Sequence, residues 1–384
     1  MNLPALRLLP AKEESVKRAH PWIFSGALAP HDLAAGTWAE LHDHNGQYLG
    51  TGFTEPGSIA FKWVGKERLS PEDFLRTRLQ EAHLLRRSMG MLNRADLEIY
   101  RLFFAEGDGL PGLVIDIYGG HAVVQLHSKA LLPYTAVLTE ILVELGYSSV
   151  YLKSRESLHD QNLVDAYLHG ERQATVFLEN GIPFQVDWEG GQKTGFFIDQ
   201  RNNRQKVREL AEGKKVLNAF SYTGGFSSYA LMGGATEVVS LDSSKKAIQL
   251  AESNAELLNV SGIHTGVSQD AFDYLKEMPD HFDLVILDPP AFAKNQRARH
   301  KAVQAYKRIN AMAMKRMRSG TWLLTFSCSQ HISRELFVST VRAAAIESRK
   351  QLRLIEHLQQ PADHPSSLLH PEGEYLKGLL LQIR

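Results

Sequence analysis

The sequence predicts an α/β protein: a parallel sheet covered by helices in the C-terminal half, preceded by a small β domain and an α+β unit. Three observations carry this. Strands and helices alternate after Trp188, which is the grammar of βαβ units. The first 70 residues are rich in alternating strands and turns. Residues 71–188 hold strands and helices in blocks rather than in alternation. The expected boundaries are therefore 1–70, 71–188 and 189–384.

In the first segment, "TWAELHDHNGQYLGTGF" alternates around His44-Asn45-Gly46, and Asn-Gly is the strongest short hairpin signal. "SIAFKWVG" adds a strand. A helix should follow, with Ser70 as N-cap, Pro71 at its first position and Asp73 closing a capping-box-like start. "PGLVIDIYGGHAVVQLHS" reads as a hairpin turning at Gly119-Gly120. "YTAVLTEILVELG" reads as a helix ended by Gly146, and "SSVYLKS", "TVFLEN" and "IPFQVDW" as strands.

Beyond Trp188, "KKVLNAF", "TEVVSLD", "HTGVSQD", "FDLVILD" and "TWLLTFS" are the expected strands, separated by amphipathic helical stretches. "LRLIEHL" and "GLLLQIR" end the chain as strands. There is no internal repeat.

Composition narrows the function. Lys plus Arg balance Asp plus Glu, 43 against 43, so a general nucleic-acid coat is not expected and any such contact must be local. The single cysteine, Cys328, excludes a disulfide framework and a cysteine-built metal site; no metal is expected. The N-terminus lacks an apolar h-region, and no apolar run approaches a membrane span. A soluble, cytoplasmic protein is the expectation, with no membrane partner.

Ligands of open α/β sheets bind outside the carboxyl ends of the strands. Those ends carry "NAFSYTGGF" (Asn218–Phe226), Asp242, Asp270, "DPPAF" (Asp288–Phe292) and "SCS" (Ser327–Ser329). Gly224 and Gly225 permit a tight turn and close ligand approach. Asp242, at the next strand end, suits ribose hydroxyls. The pair points to an adenosine-containing cofactor, either a nicotinamide dinucleotide or S-adenosylmethionine; the full G-x-G-x-x-G is missing. "LDPPAF" shifts the balance. Pro289 and Pro290 withhold two amide protons and fix a turn beside the Asp288 carboxylate, where a flat base could bond, with Phe292 as a stacking face. The plain alternative is a strand-ending turn with a core Phe.

A lone cysteine is usually a small buried hydrophobe. Cys328, however, follows a buried strand and precedes a helix, and a thiol near a helix N-terminus has its thiolate stabilised. That describes a nucleophile. His331 is a second group that could help deprotonate it; the plain alternative is a surface loop histidine.

With these residues in view, the chain resembles the bacterial 23S ribosomal RNA cytosine-carbon-5 methyltransferases of the large-subunit type. The likeness rests on "HPWIFSGAL" (His20–Leu28), "AEGDGLPGLVIDIYG" (Ala105–Gly119), "GQKTGFFIDQRNNR" (Gly191–Arg204), "FSYTGGF", "LDPPAFAK", "FSCS" and "DHPSSLLHPEGEYLKG". It implies a class I methyltransferase Rossmann-like domain with a mostly parallel seven-stranded sheet, an N-terminal PUA domain that positions RNA, and S-adenosylmethionine as cofactor. By the same resemblance, Asn218, Ala219, Phe220, Ser221 and Gly224 would wrap the methionine portion. Asp242 with Ser243 would hold the ribose, and Asp270 with Ala271 the adenine. Lys193 and Gln200 would close over the methyl donor. Cys328 would attack carbon 6 of cytosine while Asp288 bonds the base edge. Many other RNA cytosine methyltransferases carry a second cysteine, after the proline of the strand-four motif, that helps release product; that position is Ala291 here, so the group that removes the carbon 5 proton is unidentified.

Lys294, Arg297 and Arg299, beside "DPPAF", are the expected phosphate contacts in this neutral protein. The expected partner is 23S ribosomal RNA, naked or partly assembled, with the target base flipped out; a homodimer is left open. Two rival readings stand beside this one: a base-nitrogen RNA methyltransferase, for which Asp-Pro-Pro-aromatic is also typical, and a non-catalytic RNA-binding assembly protein.

Overall fold

The computed structural model describes residues 3–293 and 295–384. Its contacts divide the chain into two compact units. The first is Met1–Phe177, Val186–Ile198 and Ala362–Gly373; the second is Leu178–Gln185, Asp199–Pro361 and Glu374–Arg384.

In the first unit, β1 (Ala5–Arg7), a short helix α1 (Glu14–Lys17), β2 (Trp22–Phe24), β3 (Trp38–His42), β4 (Tyr48–Thr54) and β5 (Ile59–Gly65) come first. The strands form one sheet in the order β1-β3-β4-β5-β2. The Asn-Gly hairpin falls where expected. Asp43 Oδ1 accepts from the amides of Asn45 and Gln47, closing the turn between β3 and β4. Helix α2 (Pro71–Ser88) starts as the sequence indicates, with Ser70 Oγ accepting from Asp73 N at 3.1 Å. Such a cap contributes about 1 kcal/mol.

A second sheet follows, built from β6 (Ile99–Phe104), β7 (Leu113–Tyr118), β8 (His121–Leu126), β9 (Ser149–Leu152) and β10 (Ala166–His169). Its order is β10-β9-β8-β7-β6, and α3 (Thr135–Glu144) makes the crossover between the parallel β8 and β9. Trp38, Phe53 and Val64 of the first sheet share one core with Phe74 and Leu75 of α2 and with Leu102, Ile115 and Val124 of the second. Strand β10 lacks the apolar alternation that would have announced it.

After the hairpin β11 (Val176–Glu179) and β12 (Ile182–Gln185), helix α4 (Arg201–Leu210) leads into the second unit's sheet. That sheet contains β13 (Lys215–Ala219), β14 (Glu237–Asp242), β15 (Ile263–Ser268), β16 (Leu284–Leu287), β17 (Trp322–Ser327), β18 (Leu352–Leu358) and β19 (Lys377–Ile383). The order is β15-β14-β13-β16-β17-β19-β18. The first five strands run parallel, and β19 is antiparallel to both β17 and β18. The expected mostly parallel, seven-stranded sheet is therefore present. Helices α5 (Gly225–Met232), α6 (Lys245–Glu256), α7 (Ala271–Lys276), α8 (Arg299–Arg316) and α9 (Arg334–Ser348) pack around it. Strands buried on both faces explain the continuous apolar runs: Leu284, Val285, Ile286 and Leu287 are all fully buried.

The topology sets the site. From β13 the chain steps outward to β14 and β15, then returns to β16 on the other side of β13. Such a reversal opens a crevice at the carboxyl ends of the two central strands. Among the described residues, no helix is long and apolar enough to cross a membrane.

Candidate active site

The loop after β13 is strained. Phe220, Tyr222 and Gly224 take φ of +61°, +46° and +77°. The left-handed region costs a non-glycine residue about 1–2 kcal/mol, and strain of this kind collects at ligand sites. Gly224 is required for a second reason: a Cβ there would lie 2.9 Å from the Ala251 Cβ. The loop is held by Ser221 N donating to Leu241 O and Gly224 N donating to Ser221 O.

Among the described residues, two polar atoms at this strand end are buried without a hydrogen-bond partner. Asn218 is fully buried; its Nδ2 donates to Ser227 Oγ at 2.9 Å, while its Oδ1 has no hydrogen bond. The Ser221 Oγ is in the same condition. Buried polar atoms are normally satisfied, so these two suit a polar ligand at the end of β13. Asp242 accepts from Tyr222 N through Oδ2 (3.0 Å) and from Ser244 N through Oδ1 (2.9 Å). A carboxylate has about four acceptor positions, so capacity remains for ribose hydroxyls. Ser243 is exposed beside it. Asp270 is the N-cap of α7, its Oδ1 accepting from Phe272 N and Asp273 N; Ala271 is buried in the first turn of that helix. Their place at the end of β15 suits an adenine edge. The residues present thus fit an adenosine-type cofactor. Lys193 belongs to the other unit, where it is exposed, with its ammonium 4.7 Å from the Phe197 ring centre.

On the other side of the switch point, Asp288 follows β16. Its Oδ1 accepts from Gln200 Nε2 at 3.0 Å, and Gln200 Oε1 in turn accepts from Asn203 Nδ2 at 2.6 Å. Gln200 is 3% exposed, so its amide is oriented from both ends. Pro289 is buried and Pro290 exposed. Phe292 is half-buried, its ring 4.8 Å from that of Tyr306 and 6.3 Å from that of Phe272. Much of the ring therefore packs on the core.

Cys328 follows β17 and is half-buried. Strands β16 and β17 are parallel neighbours, Leu287 pairing with Thr325. The turns that leave them are tied together, since Ser329 Oγ accepts from Ala293 N at 3.3 Å and bonds the Tyr306 hydroxyl at 3.0 Å. The cysteine turn and the Asp-Pro-Pro turn therefore stand side by side. The expected helix-start stabilisation is corrected in one respect. Helix α9 begins at Arg334 and has its own cap, Ser333 Oγ accepting from Leu336 N at 3.2 Å. Cys328 lies in the turn before that cap, and His331 is half-buried between them.

Lys294 lies outside the described residues. Arg297 and Arg299 are exposed at the start of α8, where they can meet an anion. Lys307 is instead paired with Glu347 at 3.0 Å, and the Arg308 guanidinium lies 5.4 Å from the Phe272 ring.

Sequence reasoning placed Ser329 at a strand end but gave no role to Ser329, Tyr306 or Lys377. Lys377 heads β19 and is 4% exposed; its Nζ donates to the carbonyls of Ser329 and Tyr375, each at 2.7 Å. A lysine opening the apolar run "KGLLLQI" was the available signal.

Comparison with known proteins agrees with this architecture. Residues 156–381 match the family model described as S-adenosylmethionine-dependent methyltransferase, and residues 6–65 match a PUA-like domain. The chain is 37% identical over 398 residues to "Ribosomal RNA large subunit methyltransferase I" of Vibrio parahaemolyticus serotype O3:K6 (strain RIMD 2210633), covering 99% of both chains. The protein of the same name from Shewanella frigidimarina (strain NCIMB 400) is 38% identical over 397 residues, covering 98% of this chain and 99% of its own. A solved structure, "A putative sam-dependent methyltransferase from Streptococcus mutans", has the same fold: TM-score 0.85, 23% identity, 99% of this chain and 100% of that one. The chain belongs to the S-adenosylmethionine-dependent methyltransferase family, and within it to the group of proteins named ribosomal RNA large subunit methyltransferase I.

Proposed function

We propose that the protein methylates carbon 5 of a cytosine in the 23S ribosomal RNA of the large subunit, through a transient bond between that base and Cys328. The observation that carries this reading is the Ser329 bridge, which seats the sole cysteine beside the Asp-Pro-Pro turn.

Carbon 5 of cytosine is a poor nucleophile. A Cys328 thiolate adding at carbon 6 moves the double-bond electrons onto carbon 5. S-adenosylmethionine supplies an electrophilic methyl group. Loss of the carbon 5 proton to solvent water then restores the double bond, and the sulfur leaves as thiolate with the electron pair of the carbon 6–sulfur bond. Asp288, held by Gln200, bonds the amino edge of the base and so orients carbon 6 toward the sulfur. Asn218, Ser221, Asp242 and Asp270 hold the cofactor. Pro289 and Pro290 leave the turn rigid and bare of amide protons. Arg297 and Arg299 meet phosphates, and the PUA-like module positions the RNA. The target must leave its stack, which favours naked or partly assembled RNA in the cytoplasm.

Mass spectrometry of ribosomal RNA from a strain lacking this protein tests the reading. Loss of one 5-methylcytidine from 23S RNA, restored by the wild-type chain and not by Cys328→Ala, is the expected result. Restoration by Cys328→Ala would sink the covalent route, and loss of a nitrogen-methylated base in place of 5-methylcytidine would favour a base-nitrogen methyltransferase.

A further inference from the structure

Lys377 pairs with Ser327, the last residue of β17, in the antiparallel register of β19. Its Nζ is bonded to the carbonyl of Ser329. Cys328 is thus bracketed by the two residues that Lys377 holds, one through its strand partner and one through its ammonium. The second acceptor, Tyr375 O, pins the side chain from the other direction. An ammonium has three N–H donors, and two are spent on these carbonyls.

We propose that Lys377 is a positioning residue for Cys328: its buried ammonium keeps the sulfur as a thiolate, before attack and again when the sulfur is expelled from the base. The proposal rests on the covalent reading above. In it, the thiol proton goes to solvent. The thiolate electron pair forms the bond to carbon 6 and is recovered as that bond breaks. Lys377 donates no proton in either step.

The other groups around this turn do not replace it. Arg334 of α9 spends Nη1 on Leu358 O, and Tyr306 of α8 is committed to Ser329. His331 lies within the same turn, and Asp288 at the end of β16 carries the opposite charge. Burial and the Arg334 charge pull Lys377 down to about 8, while Cys328 pulls it upward. The charge of a Cys328 thiolate thus favours the ammonium, and the ammonium favours the thiolate in return.

Because Cys328 is the sole cysteine, alkylation by iodoacetamide reports on it alone. The rate should be followed against pH by intact-mass spectrometry in the wild type, Lys377→Met and Lys377→Arg. Lys377→Met is expected to raise the alkylation midpoint and to slow the reaction at neutral pH by about tenfold, the effect of roughly one pKa unit. Lys377→Arg should restore the midpoint. In methyl transfer, Lys377→Met should lower kcat more than KM and recover at higher pH. An unchanged alkylation midpoint in folded Lys377→Met overturns the proposal. If Lys377→Met does not fold, Cys328→Ser supplies the reciprocal measurement. The Lys377 Nζ titration, followed by NMR, should move down when the sulfur is lost; an unmoved titration overturns the proposal equally. Neither readout needs RNA, so both stand apart from whether Cys328→Ala still methylates it.

Discussion

Gln200 Nε2 donates to Asp288 Oδ1 at 3.0 Å, joining the start of α4 to the end of β16. The two residues lie 88 positions apart in the chain. A hydrogen bond to a charged group is worth about 1.5–3 kcal/mol. Gln200→Ala is therefore expected to lower kcat/KM by about ten- to a hundredfold, measured with an unmodified ribosomal RNA fragment. Gln200→Glu should be worse, because it sets a second carboxylate against Asp288.

Cys328→Ala should abolish methyl transfer while calorimetry still finds S-adenosylmethionine bound as in the wild type. The groups proposed to hold the cofactor stand at the ends of β13, β14 and β15, and the cysteine at the end of β17.

Ser329→Ala removes the acceptor for Ala293 N and the partner of the Tyr306 hydroxyl. Chemical denaturation should show a loss of about 1–3 kcal/mol, the cost of leaving a buried polar group unpaired. Methyl transfer should fall as well, because the two turns lose their common tie.

Gly224→Ala forces a side chain into a left-handed φ of +77° and against the Ala251 Cβ. Cofactor affinity should drop about five- to thirtyfold by calorimetry, the equivalent of the roughly 1–2 kcal/mol that the backbone conformation alone costs.

Acid should weaken the second unit through His264. Its Nε2 bonds Ser240 Oγ at 2.8 Å, and burial holds the imidazole below its ordinary range. The unfolded chain then takes up the proton first as pH falls. Stability present above about pH 6.5 is lost as pH drops toward the folded-state value. The thermal midpoint should decline below about pH 6.5, and His264→Gln should flatten that limb.

Much of the architecture was legible because it is written in local patterns. The Ser70 cap, the Asn45-Gly46 turn and the buried strands of the parallel sheet each depend on neighbouring residues. Strand β10 and helix α4 were not legible. Their burial is set by partners far away in sequence: Arg204 of α4, for example, is buried against Glu179, with Nη2 to Oε2 at 2.7 Å. Two charges that close to a core read as surface in one dimension. The run "DHPSSLLHPEGEYLKG" reads as one motif, yet Ala362–Gly373 belongs to the first unit and Glu374 onward to the second.

By itself the sequence determined which residues stand at strand ends, and thereby the groups offered to the crevice: the glycine turn, Asp242, the Asp-Pro-Pro turn and the lone thiol. Strand ends follow from hydrophobic periodicity, a property of consecutive residues. The tertiary structure alone decided what braces the turn that carries that thiol. Lys377 meets the Cys328 turn because β19 inserts antiparallel beside β17, and sheet order depends on packing between segments that no local pattern encodes.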